Sequence, residues 1–181
     1  MQTKVRLPGY NIQSLLWRHS GRVTYGALRE ADGARVTVET LDSEYPDRRQ
    51  IAALHHEASI AAHLDDVDGV RRVQQVLPHG SGNLALVTEH YDSSLASLLK
   101  RSDDGRLPVL QVLEIARDLA RTLSDIHART IIHKAISPPN VLFDRKRGEL
   151  ALTGFSIASE LGQERQGSDL TGQLEGMLPY I

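Results

Sequence analysis

The side chains best equipped for chemistry fall in one short run, Ile131-Ile132-His133-Lys134-Ala135-Ile136-Ser137-Pro138-Pro139-Asn140-Val141-Leu142-Phe143. It offers an imidazole at His133, an ammonium at Lys134 and an amide at Asn140. The residue among them, Ala135, has no atom able to accept a proton. Upstream stand two carboxylates, Glu39 in Val36-Thr37-Val38-Glu39 and Glu57 in Glu57-Ala58-Ser59-Ile60, and a glycine, Gly21, in Arg18-His19-Ser20-Gly21-Arg22-Val23. Downstream, Gly154-Phe155-Ser156 places another glycine before an aromatic residue. Taken singly, each has a plain reading: His133 as a hydrogen-bonded buried histidine, Asn140 and Gly21 as turn residues, and Glu57 as a solvated helix carboxylate.

Several elements must position these residues. Three runs of β character, 12–17, 22–29 and 34–41, carry Glu39 in the third, and Asp32-Gly33 marks a hairpin turn between the second and third. Residues 47–64 have Ile51, Leu54, Ala58, Ala61 and Leu64 at spacings of three and four, which predicts an amphipathic helix carrying Glu57. Strands are predicted over 70–77 and 84–89, and a short helix over 95–100. A long helix over 108–128 opens at Pro108 with Leu113, Ala116, Leu119, Leu123 and Ile126 on one face. Strand-like runs at 141–143 and 150–152 flank a polar turn that holds Asp144, and Gly154 follows them. This segregated α+β order implies a mainly β lobe, residues 8–90, joined through Glu89-His90-Tyr91-Asp92 to a mainly helical lobe, residues 91–181.

In order and spacing the chain resembles a protein kinase from Pro8 onward, which implies a two-lobed kinase-like fold. It is most similar to the serine/threonine-kinase-like domain at the N-terminus of very large bacterial signalling proteins that also carry an ATPase module and a histidine kinase. Leu28-Arg29-Glu30, Ile131-Ile132-His133-Lys134, Ser137-Pro138-Pro139-Asn140 and Leu174-Glu175-Gly176-Met177-Leu178-Pro179-Tyr180-Ile181 carry that likeness. The resemblance implies that Glu39 stands where the family has its phosphate-binding lysine, and that Glu57 matches that lysine's helix glutamate. Ala135 stands for the catalytic aspartate, and Gly154 for the metal-binding aspartate of D-F-G. His133 matches the structural histidine and Asn140 the metal-binding asparagine, here a vestige, while Gly21 alone represents the glycine-rich loop. Ala85, Thr88, Glu89 and Tyr91 are implied to border a vestigial nucleotide cleft. Were Glu39 and Glu57 both to face inward about 4 Å apart, an effective dielectric of about 20 gives roughly 4 kcal/mol of repulsion. One must then turn outward, take up a proton or find an arginine.

These replacements imply a pseudokinase: a regulatory or scaffolding module without phosphoryl transfer, needing neither ATP nor magnesium. The alternative is an atypical serine/threonine kinase using ATP and magnesium, with Asp144, Lys134 or Glu57 as substitutes. The run 158–176 resembles an activation loop, with Ser159, Ser168 and Thr171 as candidate phosphosites. The sequence is expected to cover only the first part of a kinase domain and to leave an apolar surface on the lower helices.

Composition narrows the classes further. Twenty-one basic against 23 acidic side chains, net −2 and without long runs, provide no electrostatic footprint for nucleic acid or an anionic membrane. The absence of cysteine excludes disulfides and thiolate metal sites and fits a reducing compartment. No apolar run approaches the roughly 18–20 residues needed to span a bilayer, and Met1-Gln2-Thr3-Lys4-Val5-Arg6 leads into no apolar signal segment. The expectation is a cytoplasmic protein whose partner is another protein or a neighbouring domain.

Overall fold

Strand alternation organises the first part of the chain. The computed structural model describes residues 5–19, 21–43, 45–80, 82–102 and 104–161, so the expectations for Ser168, Thr171 and the run 174–181 lie outside the described residues. Strands β1 (Tyr10–His19), β2 (Arg22–Arg29), β3 (Arg35–Leu41), β4 (Val73–His79) and β5 (Asn83–Glu89) form one antiparallel sheet in the order β1-β2-β3-β5-β4. The Asp32-Gly33 turn closes the β2–β3 hairpin as predicted, with Gly33 N–H donating to Arg29 O (2.8 Å) and the Asp32 carboxylate accepting from Ala34 N–H (3.0 Å). Pro78 is tolerated because β4 is an edge strand.

Each face of this sheet has its own core. On one face Val23, Tyr25, Val36, Val38, Ala85 and Val87 are buried together with Val5 and Leu7 of the N-terminal segment. On the other, Leu41 and Leu86 pack against Leu54 of α1 (Arg48–His63). A reciprocal capping box starts that helix: Gln50 N–H donates to Asp47 Oδ1 (2.8 Å) and Asp47 N–H to Gln50 Oε1 (3.1 Å). The buried stripe of α1 consists of Leu54, Glu57, Ile60 and Ala61. A carboxylate thus lies inside the apolar face.

The chain divides into two units, Met1–Ala62 with Arg72–His90, and His63–Arg71 with Tyr91–Ile181. Compared with a single division at residue 90, the segment 63–71 packs with the second unit. Its backbone is stitched there by Arg71 N–H to Leu152 O (3.0 Å) and Leu152 N–H to Gly69 O (2.7 Å). Gly69 is required at that point: its φ is +79°, and a Cβ would sit 2.0 Å from Thr122 Oγ1. Arg129 also pairs with the Asp66 carboxylate.

The second unit contains β6 (Ser93–Ser94), α2 (Leu95–Arg101), α3 (Val109–Ala128), β7 (Ile131–Ile132), β8 (Val141–Asp144), β9 (Glu149–Leu152) and β10 (Ser159–Glu160). Strands β6, β8 and β9 form one small sheet, and β7 pairs with β10. Ser94 caps α2, its Oγ accepting from Ser97 N–H (3.2 Å). The apolar stripe predicted for α3 is only partly covered. Ile126 is fully buried and Thr122 nearly so, whereas Leu113 is 59% exposed, and Val109 and Leu110 are 74% and 77% exposed. Helix α3 packs with β7 and β9, and its buried residues, Thr122 and Ile126, both lie in its C-terminal half. Among the described residues no helix is long and apolar enough to cross a membrane.

Candidate functional site

In the first unit the register decides which motif residues meet. Glu39 pairs with Thr24 and Leu41 with Arg22, so all four side chains share one sheet face and Arg22 is the diagonal neighbour of Glu39. Leu86, opposite Glu39 on β5, belongs to the same face, and α1 covers that face through Leu54. Glu57 reaches the same place from α1. Arg22 Nη1 donates to Glu39 Oε1 at 2.8 Å and also to Glu57 Oε2. All three side chains are largely withdrawn from water, with 15%, 13% and 5% exposure for Arg22, Glu39 and Glu57. Burial works against the guanidinium charge, but the fields of Glu57 and then Glu39 outweigh it and raise the Arg22 pKa above its ordinary value. Of the three ways out of carboxylate repulsion, the chain has taken the arginine. The sequence names that residue but not its role, because the strand register alone sets Arg22 beside Glu39.

The remaining residues expected near a nucleotide fall in both units. Gly21 adopts φ of +72° beside the His19–Arg22 pair that closes the β1–β2 hairpin, so it is a turn residue. Ala85 is fully buried, points to the face opposite Glu39 and joins the Val36 and Val38 core, since alternate residues of a strand face opposite ways. Thr88 lies on the Glu39 face, where its Oγ1 donates to Thr37 O (3.3 Å). The backbone of Glu89 is engaged inside the unit, with N–H to Arg72 O (3.2 Å) and C=O accepting from Thr37 Oγ1 (3.4 Å). Tyr91, in the second unit, is 5% exposed and has the Arg147 guanidinium 5.1 Å from its ring centre.

The second unit assembles the catalytic-loop motif. His133 is 1% exposed, its Nε2 lies 3.0 Å from Thr153 O, and its Nδ1 accepts from Ala135 N–H (3.1 Å). That pairing requires the neutral tautomer with hydrogen on Nε2. Burial pushes its pKa down to about 4, with the Thr153 carbonyl acting in the opposite sense. Phe155 packs against the ring at 4.5 Å between centroids. Lys134 takes a left-handed φ of 64°, which turns the chain between His133 and Ala135.

Asn140 fastens the loop at three points. Its Nδ2 donates to Ala135 O (2.8 Å), its N–H to Ser137 O (2.9 Å), and its C=O accepts from Thr153 N–H (2.9 Å). Gly154 has φ of +85°, and a Cβ there would lie 2.7 Å from Asn140 Cγ and Nδ2. The Asn140 amide therefore blocks the space a side chain at 154 would enter. With glycine at 154 the position matched to the metal-binding aspartate supplies no carboxylate, and at Asn140 the Nδ2 is bonded to Ala135 O while Oδ1 is the atom a metal would use. These two positions thus offer a magnesium ion one neutral oxygen and no carboxylate. Among the described residues no group of three or more His, Cys, Asp or Glu could hold a metal.

Asp144 is a turn residue: its carboxylate accepts from Lys146 N–H (2.9 Å), Arg147 N–H (3.0 Å) and Arg147 Nε (2.9 Å). Those bonds, the Arg147 backbone first, hold its pKa below the usual carboxylate value.

A β-rich unit with one inserted helix, followed by the His133–Asn140 loop and the β8–β9 hairpin leading to Gly154-Phe155, is a protein kinase-like α+β arrangement. The family description "protein kinase domain" matches residues 19–180, and the chain belongs to that family. Among its relatives, serine/threonine-protein kinase PknA of Mycobacterium tuberculosis is 29% identical over 177 residues, 95% of this chain and 40% of PknA. The probable serine/threonine-protein kinase SCO3848 of Streptomyces coelicolor is 25% identical over 193 residues, 100% of this chain and 27% of that protein. The serine/threonine-protein kinase stk11 homolog of Dictyostelium discoideum is 27% identical over 113 residues, 62% of this chain and 19% of its own length. The chain thus spans less than half the length of each of these relatives.

Proposed function

We propose that this chain is a pseudokinase, a kinase-like domain impaired in phosphoryl transfer that serves as a regulatory or scaffolding module in intracellular signalling. The observation that carries this reading is the Arg22 guanidinium bound between Glu39 and Glu57, where the family places a lysine for the nucleotide phosphates. A carboxylate at 39 repels a triphosphate, and its arginine is already neutralised. Ala135 adds the loss of a proton acceptor, and Gly154 the loss of a charge that holds the metal. Kinase catalysis rests on positioning and electrostatic stabilisation, so three such losses remove most of its means. Neither ATP nor magnesium is needed for the role we propose, and the partner is a neighbouring domain or another protein in the cytoplasm.

A second reading, an active serine/threonine kinase, is favoured by the names of the relatives. Two of its potential substitutes are already engaged, Asp144 in its turn and Glu57 with Arg22. Transfer of labelled phosphate from ATP by the full-length protein distinguishes the two. The pseudokinase reading expects none above background, whereas robust transfer that disappears in Asn140→Ala overturns it.

A further inference from the structure

Two elements distant in sequence meet at one cation in the first unit. Glu57 lies mid-way along α1, among the buried residues Leu54, Ile60 and Ala61, and Glu39 belongs to the central region of the sheet. The same nitrogen of Arg22 serves both carboxylates. A phosphate-binding cation has to face open space and wait for its ligand. This one is turned into the protein and occupied by the protein's own anions, 15% exposed.

We propose that Arg22 is a built-in counter-cation that holds α1 against the five-stranded sheet through Glu57 and Glu39, so that α1 keeps one position without any ligand. The inference rests on the reading of this unit as a regulatory scaffold and specifies how it is kept in shape. A binding surface that includes α1 is then always formed, and its availability does not follow nucleotide concentration. The physical reason is the sign pattern. Remove the cation and two buried carboxylates confront each other across the α1–sheet contact, a charge arrangement that costs far more than the ion pairs stabilise. Lysine is a poor substitute in this place, because its compact ammonium is more strongly hydrated than a guanidinium and costs more to withdraw from water.

Hydrogen exchange on the full chain without nucleotide reads the device directly. In the unmodified protein the amides of α1 are expected to be protected alongside those of β3 and β5, and addition of Mg-ATP leaves them unchanged. Arg22→Met is expected to speed exchange in α1 by about tenfold or more while β3 and β5 stay protected, a local opening and not global unfolding. In the double variant R22M/E39K the cation returns from β3 to face Glu57, and protection of α1 recovers. If Arg22→Met does not fold, Arg22→Lys reads the same amides, with faster exchange confined to α1 expected. Unchanged α1 exchange in the folded variant, or protection in the unmodified protein that arises only with Mg-ATP, overturns the proposal. The phosphate-transfer assay is separate. Transfer with an Arg22-dependent α1 sinks the pseudokinase reading alone, and no transfer with an Arg22-independent α1 sinks this inference alone.

Discussion

His133 is held neutral by its surroundings, and that makes the fold sensitive to acid in a definite window. Its folded pKa is pushed down to about 4 from the ordinary value of 6.5. Between these values the unfolded chain binds more protons than the folded one, so stability is complete above about 6.5 and declines as pH falls toward 4. The shift corresponds to about 3 kcal/mol by pH 4. Urea unfolding across this range should show the decline, and His133→Phe, although less stable at neutral pH by about 1–3 kcal/mol through its lost hydrogen bonds, should flatten it. An equally steep decline in that variant assigns the acid sensitivity elsewhere. Gly154 and Asn140 form a second residue-scale dependence. Gly154→Ala forces a side chain onto a left-handed backbone and into the Asn140 amide, so a loss of about 2–4 kcal/mol is expected. Combined with Asn140→Ala, the total loss should fall short of the sum of the single losses by about 1 kcal/mol or more, since the obstacle is gone. Additive losses in urea titrations would show that the two residues are not coupled.

At the scale of elements, α3 is divided along its length. Its C-terminal half buries Thr122 and Ile126, where Gly69 lets the 63–71 segment come close, and its N-terminal half presents Val109, Leu110 and Leu113. The two halves should therefore answer mutation differently. Ile126→Ala is expected to cost about 2–5 kcal/mol, the range for opening a cavity in a packed core. Leu113→Ala should stay within about 0.5 kcal/mol, because little apolar surface is withdrawn from water there. Equilibrium unfolding midpoints decide this, and a large loss for Leu113→Ala would mean that the exposed half is covered in solution. The short strands β6, β7 and β10 illustrate what pattern reading misses: two residues are too few to show an alternation, and they form because a neighbouring strand offers backbone partners.

For the whole molecule, the expected outcome with Mg-ATP is nearly none. If its dissociation constant exceeds 1 mM, 1 mM nucleotide raises the unfolding free energy by less than about 0.4 kcal/mol. Thermal melts with and without Mg-ATP should superimpose within that limit, and a low-micromolar dissociation constant by calorimetry would contradict the proposed function. The α+β layout, the helix over α1, the Asp32-Gly33 hairpin and the kinase family were all legible in the sequence, because periodicity, turn chemistry and ordered motifs are local properties. The identities of Glu39, Ala135 and Gly154 were legible too, and with them the chemistry those side chains cannot perform. Whether two like charges would meet, and what would reconcile them, was not. Only the β2–β3 register and the seating of α1 bring Arg22 between Glu39 and Glu57, and strand alternation turns Ala85 away from them. Those outcomes depend on residues far apart along the chain, and no local pattern encodes which distant partners a folded backbone will bring into contact.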